Sequence, residues 1–260
     1  MRITVLSENT TCREDFICEH GLSLYIETRD KRILFDAGAS SAFAENAEKL
    51  GIDLTQVNFA VLSHGHYDHG GGLGRFLEIN KTAPVYVSRE AFGPHYNGPD
   101  KYIGLDPALK ESTQLRYTGS ILEIAPGITL HSCNDRKLCC PIEPYGLRRM
   151  ENGALLPEDF RHEQYLLVEE QGRRICISGC SHKGILNITH WFRPDILVGG
   201  FHFMKIPPES PVLTQAADKL LTYPTAYYTG HCTGQAQFDR LKERMGQRLH
   251  RITTGMTFDI

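Results

Sequence analysis

Two stretches of the chain, Ser23 to Gly38 (SLYIETRDKRILFDAG) and Tyr165 to Cys180 (YLLVEEQGRRICISGC), align without gaps. Each reads as a strand, a charged turn, a second strand and a loop of small residues. The turns carry the Asp or Gly that a tight hairpin favours. A chain that spells one hairpin twice is expected to build two related halves facing each other, the first hairpin ending at Gly38 and the second at Cys180.

The remaining pattern is α/β. Strand runs at Arg2 to Leu6, Val57 to Leu62, Ile196 to Phe203 and Ala226 to Thr229 alternate with helical spacing at Ala42 to Leu50, Pro211 to Leu221 and Gln235 to Met245. Gly51 stands where the first of these helices should stop. We read residues 1–260 as one domain, long enough to bury a substantial core. Residues 93–118 and 134–162, rich in Pro, Gly and charge, read as long lid or binding loops.

Composition narrows the partners. Hydrophobic residues make up 41%, and 28 basic against 31 acidic residues leave a net charge of −3, without the basic excess of a nucleic-acid binder. No apolar run approaches a membrane span, and the first strand turns polar at Ser7, too early for a signal peptide. A cytoplasmic protein without membrane or nucleic-acid partners is expected, and nothing in the sequence sets its oligomeric state. The eight cysteines lack zinc-ribbon CxxC pairs and read mostly as reduced, small core residues.

One segment carries chemistry. In Leu62 to Leu73 (LSHGHYDHGGGL), His64 and His66 alternate along a segment that follows a buried strand, so both imidazoles reach one ion. Asp68 and His69 follow on the next turn of chain, with the polarity to hold a second. Gly70, Gly71 and Gly72 are expected to turn the backbone sharply and let it pass close to the ions.

This segment resembles the metallo-β-lactamase superfamily, whose HxHxDH motif it matches residue for residue. The resemblance implies a four-layer αββα sandwich of two similar halves, with one or two divalent ions along one edge. It places His64 and His66 on the first ion and Asp68 and His69 on the second, with His231 of Gly230-His231-Cys232 as a further ligand of the second. Cys180 stands where many members have an aspartate, and its thiolate suits zinc, though iron or manganese are also compatible with such ligands. No GHxxG-like segment supplies the usual third histidine of the first ion, and His162, Glu163 or neither fills that place.

Four later stretches are similar to a narrower branch, that of dihydropterin-ribofuranosylaminobenzene phosphate synthase: His162-Glu-Gln-Tyr-Leu, Ser178-Gly-Cys-Ser-His-Lys-Gly-Ile, Gly199-Gly-Phe-His and Thr229-Gly-His-Cys-Thr-Gly. The chain departs from the branch at His162, where an acidic residue is expected. His182 and His202 belong to these stretches and are expected to bind substrate or transfer protons rather than hold metal. Asp68 would both ligate and orient a hydroxide. Arg148, Arg149 and Lys183 are candidate phosphate contacts. Tyr145, Trp191, Phe201 and Phe203 are candidates to stack on a planar ring, with the core as the favoured reading of Trp191.

The expected activity is metal-dependent hydrolysis of a small, phosphorylated molecule by hydroxide drawn from metal-bound water. A transferase joining a dihydropterin diphosphate to an aminobenzene ribofuranosyl phosphate is the alternative, and a metal-dependent ligand sensor without turnover is a third.

Overall fold

The computed structural model describes residues 1–260. The repeated hairpin forms twice, as antiparallel strands Ser23–Glu27 with Arg32–Phe35 and Tyr165–Glu170 with Arg173–Ile177. Each lies inside a seven-stranded sheet. In the first sheet the second hairpin strand is followed by parallel strands Phe59–Val61, Val85–Ser88 and Leu115–Thr118. In the second it is followed by parallel strands Ile196–Val198, Ala226–Thr229 and Leu249–Arg251. The two halves thus repeat one plan.

Alternation along these strands sorts side chains into layers. Leu24, Ile26, Ile33 and Phe35 of the first sheet meet Leu166, Val168, Ile175 and Ile177 of the second in a shared core between the sheets. The intervening Tyr25 and Leu34 face outward onto Phe43, Ala47, Leu73 and Phe76 of helices Ala42–Lys49 and Leu73–Ile79. Leu167, Cys176 and Leu197 face the opposite way, onto helices Ile185–Phe192, Pro211–Leu221 and Gln235–Met245. Leu213, Ala216, Ala217 and Leu220 fall at helical spacing and are all buried there. The result is the four-layer αββα arrangement.

Two readings need correction. Residues 93–118 and 134–162 are not plain loops: strands His95–Asn97, Lys101–Tyr102, Leu147–Glu151 and Ala154–Pro157 pair into a third, four-stranded sheet. These strands are short and largely exposed, so no apolar alternation marks them; pairings such as Tyr96 with Arg148 define them instead. The eight cysteines are all free, but only Cys133, Cys176, Cys180 and Cys232 are buried, while Cys12, Cys18 and Cys139 are exposed and Cys140 half-buried. No helix is long and apolar enough to cross a membrane.

Candidate metal centre

Parallel strands of both sheets end at one edge, and the chain just beyond each end carries a polar residue into a common cleft. Phe35 leads to Asp36, Val61 to His64 and His66, Ile177 to Cys180, Val198 to His202, and Thr229 to His231. Asp68 and His69 sit on the short helix Tyr67–Gly70. Ligands and catalytic groups commonly gather outside the carboxyl ends of parallel strands for this reason.

Three overlapping sets of donors converge on the cleft, one of them Cys180, His182 and His202. Asp68, His69, Cys180 and His231 present ligand atoms within 4.8 Å of one another, and so do His64, His66 and His182. His69 Nε2 lies 3.1 Å from Cys180 Sγ and 3.2 Å from His231 Nε2. His64 Nε2 lies 3.3 Å from His182 Nε2. Neighbouring donors of a tetrahedral zinc ion are about 3.3 Å apart for nitrogen and somewhat more for sulfur. The nitrogen pairs match that spacing and the His69–Cys180 pair is somewhat shorter, and nitrogen, oxygen and sulfur donors of this kind suit divalent transition ions.

Buried electrostatics favours the required protonation states at most positions. Burial, with the crowding of neighbouring rings, holds His64 and His182 well below the ordinary imidazole range, so their nitrogens keep lone pairs for an ion. Burial opposes a charge on Asp68, yet His69 and His231 outweigh it and hold the carboxylate ionised. Burial also pushes the Cys180 thiol well above its usual value, so metal uptake must displace that proton.

Hydrogen bonds aim the ligands. Asp36, in a left-handed conformation (φ 59°), accepts from His69 Nδ1 at 2.7 Å and from the Ser63 amide at 2.6 Å. Asn9 Oδ1 lies 2.8 Å from His231 Nδ1, and Glu8 accepts from the His231 amide. Such partners fix ring orientation and raise ligand basicity.

The structure revises several site assignments. His182, expected to act outside the metal set, stands with His64 and His66, its ring stacked on Phe160 at 4.5 Å. Glu163 is not free to ligate: its carboxylate accepts from the His182 and Lys183 amides and from the Tyr165 hydroxyl. Lys183 is not a phosphate contact, because its buried ammonium donates to Ser132 O, Asn134 Oδ1 and Glu163 O. Arg149 is engaged by Glu151, Asp159 and Pro157 O, and neither it nor the exposed Arg148 lines the cavities at the site. Phe201 is 1% exposed and packs edge-on against Phe203 and Tyr227, a core residue that only reaches the wall of one cavity.

The triple glycine also acts differently from expectation. Gly71 and Gly72 have helical φ values of −62° and −77°, so no sharp left-handed turn occurs there. A Cβ on Gly71 would stand 2.2 Å from Ala39 O, and one on Gly72 2.1 Å from Ala37 O. These glycines let the helix press against the backbone that carries Asp36.

Sequence reasoning missed His20, whose Nε2 lies 3.4 Å from Asp68 Oδ2. It also missed Lys101 and Lys205, which line the same cleft, a cavity of about 130 Å³. No motif surrounds these residues. A second cavity of about 480 Å³, lined by Tyr145, Ile185, Leu186, Phe203 and Val212 among others, shares His182 and His202 with the first. Both ring nitrogens of His202 are buried without a partner.

Cobalt-substituted protein is expected to show a thiolate-to-metal absorption band that disappears in Cys180→Ser. Metal analysis of His231→Ala should find fewer ions per chain than wild type; equal stoichiometry would remove His231 from the ligand set.

Residues 17–139 match the family described as the metallo-beta-lactamase superfamily. The chain is 31% identical to 7,8-dihydropterin-6-methyl-4-(beta-D-ribofuranosyl)-aminobenzene-5'-phosphate synthase of Methanocaldococcus jannaschii, over 92% of this chain and 90% of that protein. It is 29% identical to an uncharacterised protein of the same organism, over 93% and 94% of the two chains. Among solved structures it resembles a metal-dependent hydrolase of the beta-lactamase superfamily, with a TM-score of 0.83 and 29% identity over 100% of this chain and 99% of the other.

Proposed function

The chain belongs to the metallo-beta-lactamase superfamily, and from that premise we propose that it is a metal-dependent hydrolase of a small phosphorylated molecule. The observation that carries this reading is the junction at His182 and His202, where a donor-lined cleft with Lys101 and Lys205 meets a cavity with largely apolar walls. A phosphorylated head would sit in the cleft, and an apolar or planar body beyond it.

When bound, a pair of divalent ions supplies Lewis acidity and lowers the pKa of water towards neutrality. The chain does the rest. His64, His66 and His182 would hold one ion, and Asp68, His69, Cys180 and His231 the other. Asp68, ionised and 3.4 Å from both His20 Nε2 and His231 Nε2, would accept the hydrogen bond that orients the attacking water. His202 borders both cavities and would protonate the leaving group. Lys101, exposed above the Tyr67 ring, and Lys205, which donates to Tyr145 O at 2.6 Å, would pair with phosphate oxygens.

Zinc-loaded protein is expected to release phosphate or alcohol from small phosphoesters. Losing a charged hydrogen bond should raise KM about 10- to 100-fold in Lys101→Ala or Lys205→Ala, with kcat little changed. Absence of turnover on any phosphoester, with metal bound at full stoichiometry, would sink the hydrolase reading.

A second reading draws support from the synthase relative and from the cavity walls of Tyr145 and Phe203, which suit a planar ring. In that case pyrophosphate would appear only when a dihydropterin diphosphate and the aryl ribose phosphate are supplied together. Saturable binding without turnover of either kind would mark a sensor.

A further inference from the structure

His66 also belongs to a buried cluster whose other three members the reaction does not use. His66, His95, Glu158 and His162 are 4%, 3%, 4% and 1% exposed, and each brings a ligand atom within 4.8 Å of the others. The composition suggests another metal site, but the hydrogen bonds oppose it. The Gly65 amide donates to His162 Nδ1 at 2.9 Å, which occupies the lone pair there. A neutral His162 then carries its proton on Nε2, so that nitrogen has no lone pair to offer an ion. His162 Nε2 is buried, and its nearest anionic atom is Glu158 Oε1 at 3.8 Å.

Glu158 is itself tightly placed. Its Oε1 accepts from the Asp159 and Phe160 amides at 3.1 and 3.2 Å, and its Oε2 lies 2.7 Å from His95 Nδ1. The His95 ring packs 4.0 Å from that of His162, holding it from the other side. Gly65 has room for nothing larger, since a Cβ there would stand 1.9 Å from Ala91 O.

We infer that His162 is a positioning residue: its Nδ1 accepts the amide of Gly65 and so fixes the peptide between His64 and His66, while the His95 ring packs against it and the Glu158 carboxylate, 3.8 Å from Nε2, favours a proton on that nitrogen. The site needs an acceptor atom at this place, not a metal donor. The inference rests on His64 and His66 being ligands for its effect on metal, but its core, the Gly65 hydrogen bond, is measurable without metal.

The test uses the full chain with 15N-labelled histidine, metal-free and zinc-loaded. His162 is expected as the Nε2–H tautomer in both states; a proton on Nδ1 would overturn the inference. His162→Ala should bind zinc about 10- to 100-fold more weakly in chelator competition, at unchanged stoichiometry and with an altered cobalt spectrum. His162→Asn, which keeps an acceptor oxygen, should recover most of the affinity. Loss of one ion from the stoichiometry would make His162 a ligand, and unchanged affinity and spectrum would leave it without a positioning role. If the alanine variant does not fold, Glu158→Gln supplies the same comparison: it should speed hydrogen exchange at the Gly65 amide, and unchanged exchange would count against the inference. A wild-type protein that binds no zinc would defeat the proposed function while leaving the tautomer and exchange results to decide this one.

Discussion

Asp36→Ala is expected to lower folding stability by about 3–5 kcal/mol, the usual cost of removing one partner of a buried ion pair. It should also weaken zinc binding by about 10- to 100-fold, although Asp36 is in none of the donor sets. Its side chain is fully buried, and it accepts from His69 Nδ1 at 2.7 Å and from the amide and hydroxyl of Ser63 at 2.6 and 2.7 Å. One carboxylate therefore aims a ligand of the second donor set and anchors the residue before His64. Urea denaturation of the metal-free protein and chelator competition check the two effects separately. Wild-type affinity in the variant would show that His69 is aimed by packing alone.

The same pair sets a pH dependence. Burial disfavours a charged His69, but Asp36 and Asp68 outweigh it and lift the ring to about 9. In the metal-free protein this raised value stabilises the fold fully below the ordinary 6.5, and the contribution is lost as pH rises through about 9. Zinc must displace the proton, so release of the His69 proton should make its affinity rise with pH towards about 9, and the Cys180 thiol, which burial also pushes up, carries the rise further. In Asp36→Asn the part of the rise due to His69 should move to lower pH, because the anion that held its proton is gone.

Gly65→Ala is the second large effect. The new methyl would overlap Ala91 O at 1.9 Å, and a backbone carbonyl cannot rotate away as a side chain can. Relief requires the His64–His66 peptide to move, which breaks the Gly65 to His162 hydrogen bond. We expect a loss of about 3 kcal/mol or more and the loss of the ion held by His64, His66 and His182. Gly119→Ala, with nothing within 4 Å of its Cβ and no positive φ, is the control and should stay within about 0.5 kcal/mol of wild type. Full metal stoichiometry in Gly65→Ala would show that the loop tolerates displacement.

Much of the frame was legible because it is periodic. Leu24, Ile26, Ile33 and Phe35 alternate with outward residues, as Leu166, Val168, Ile175 and Ile177 do in the other half, and that repetition predicted two facing sheets. Helices Pro211–Leu221 and Gln235–Met245 begin and end where their pattern does. The small third sheet was not legible, because strands as short and wet as Lys101–Tyr102 carry no periodic signal. Its contribution to function went with it: His95 and Lys101 come from that sheet, and their roles depend on neighbours far along the chain.

The sequence by itself determined the donors packed into one segment, His64, His66, Asp68 and His69, since local spacing alone puts them at the end of one strand. It also marked Cys180 and His231, each just beyond a strand of recognisable pattern. Only the tertiary structure decided how long-range residues divide the labour. His182 joins the donors, whereas Glu163 and Lys183 turn inward to hold its loop, and His162 turns from ligand candidate to hydrogen-bond acceptor for Gly65. The physical reason is that a histidine or carboxylate has the same chemistry in every role. Which lone pair or proton is already engaged is set by groups 97 positions away for His162 and 222 for His231, and only folding brings those together.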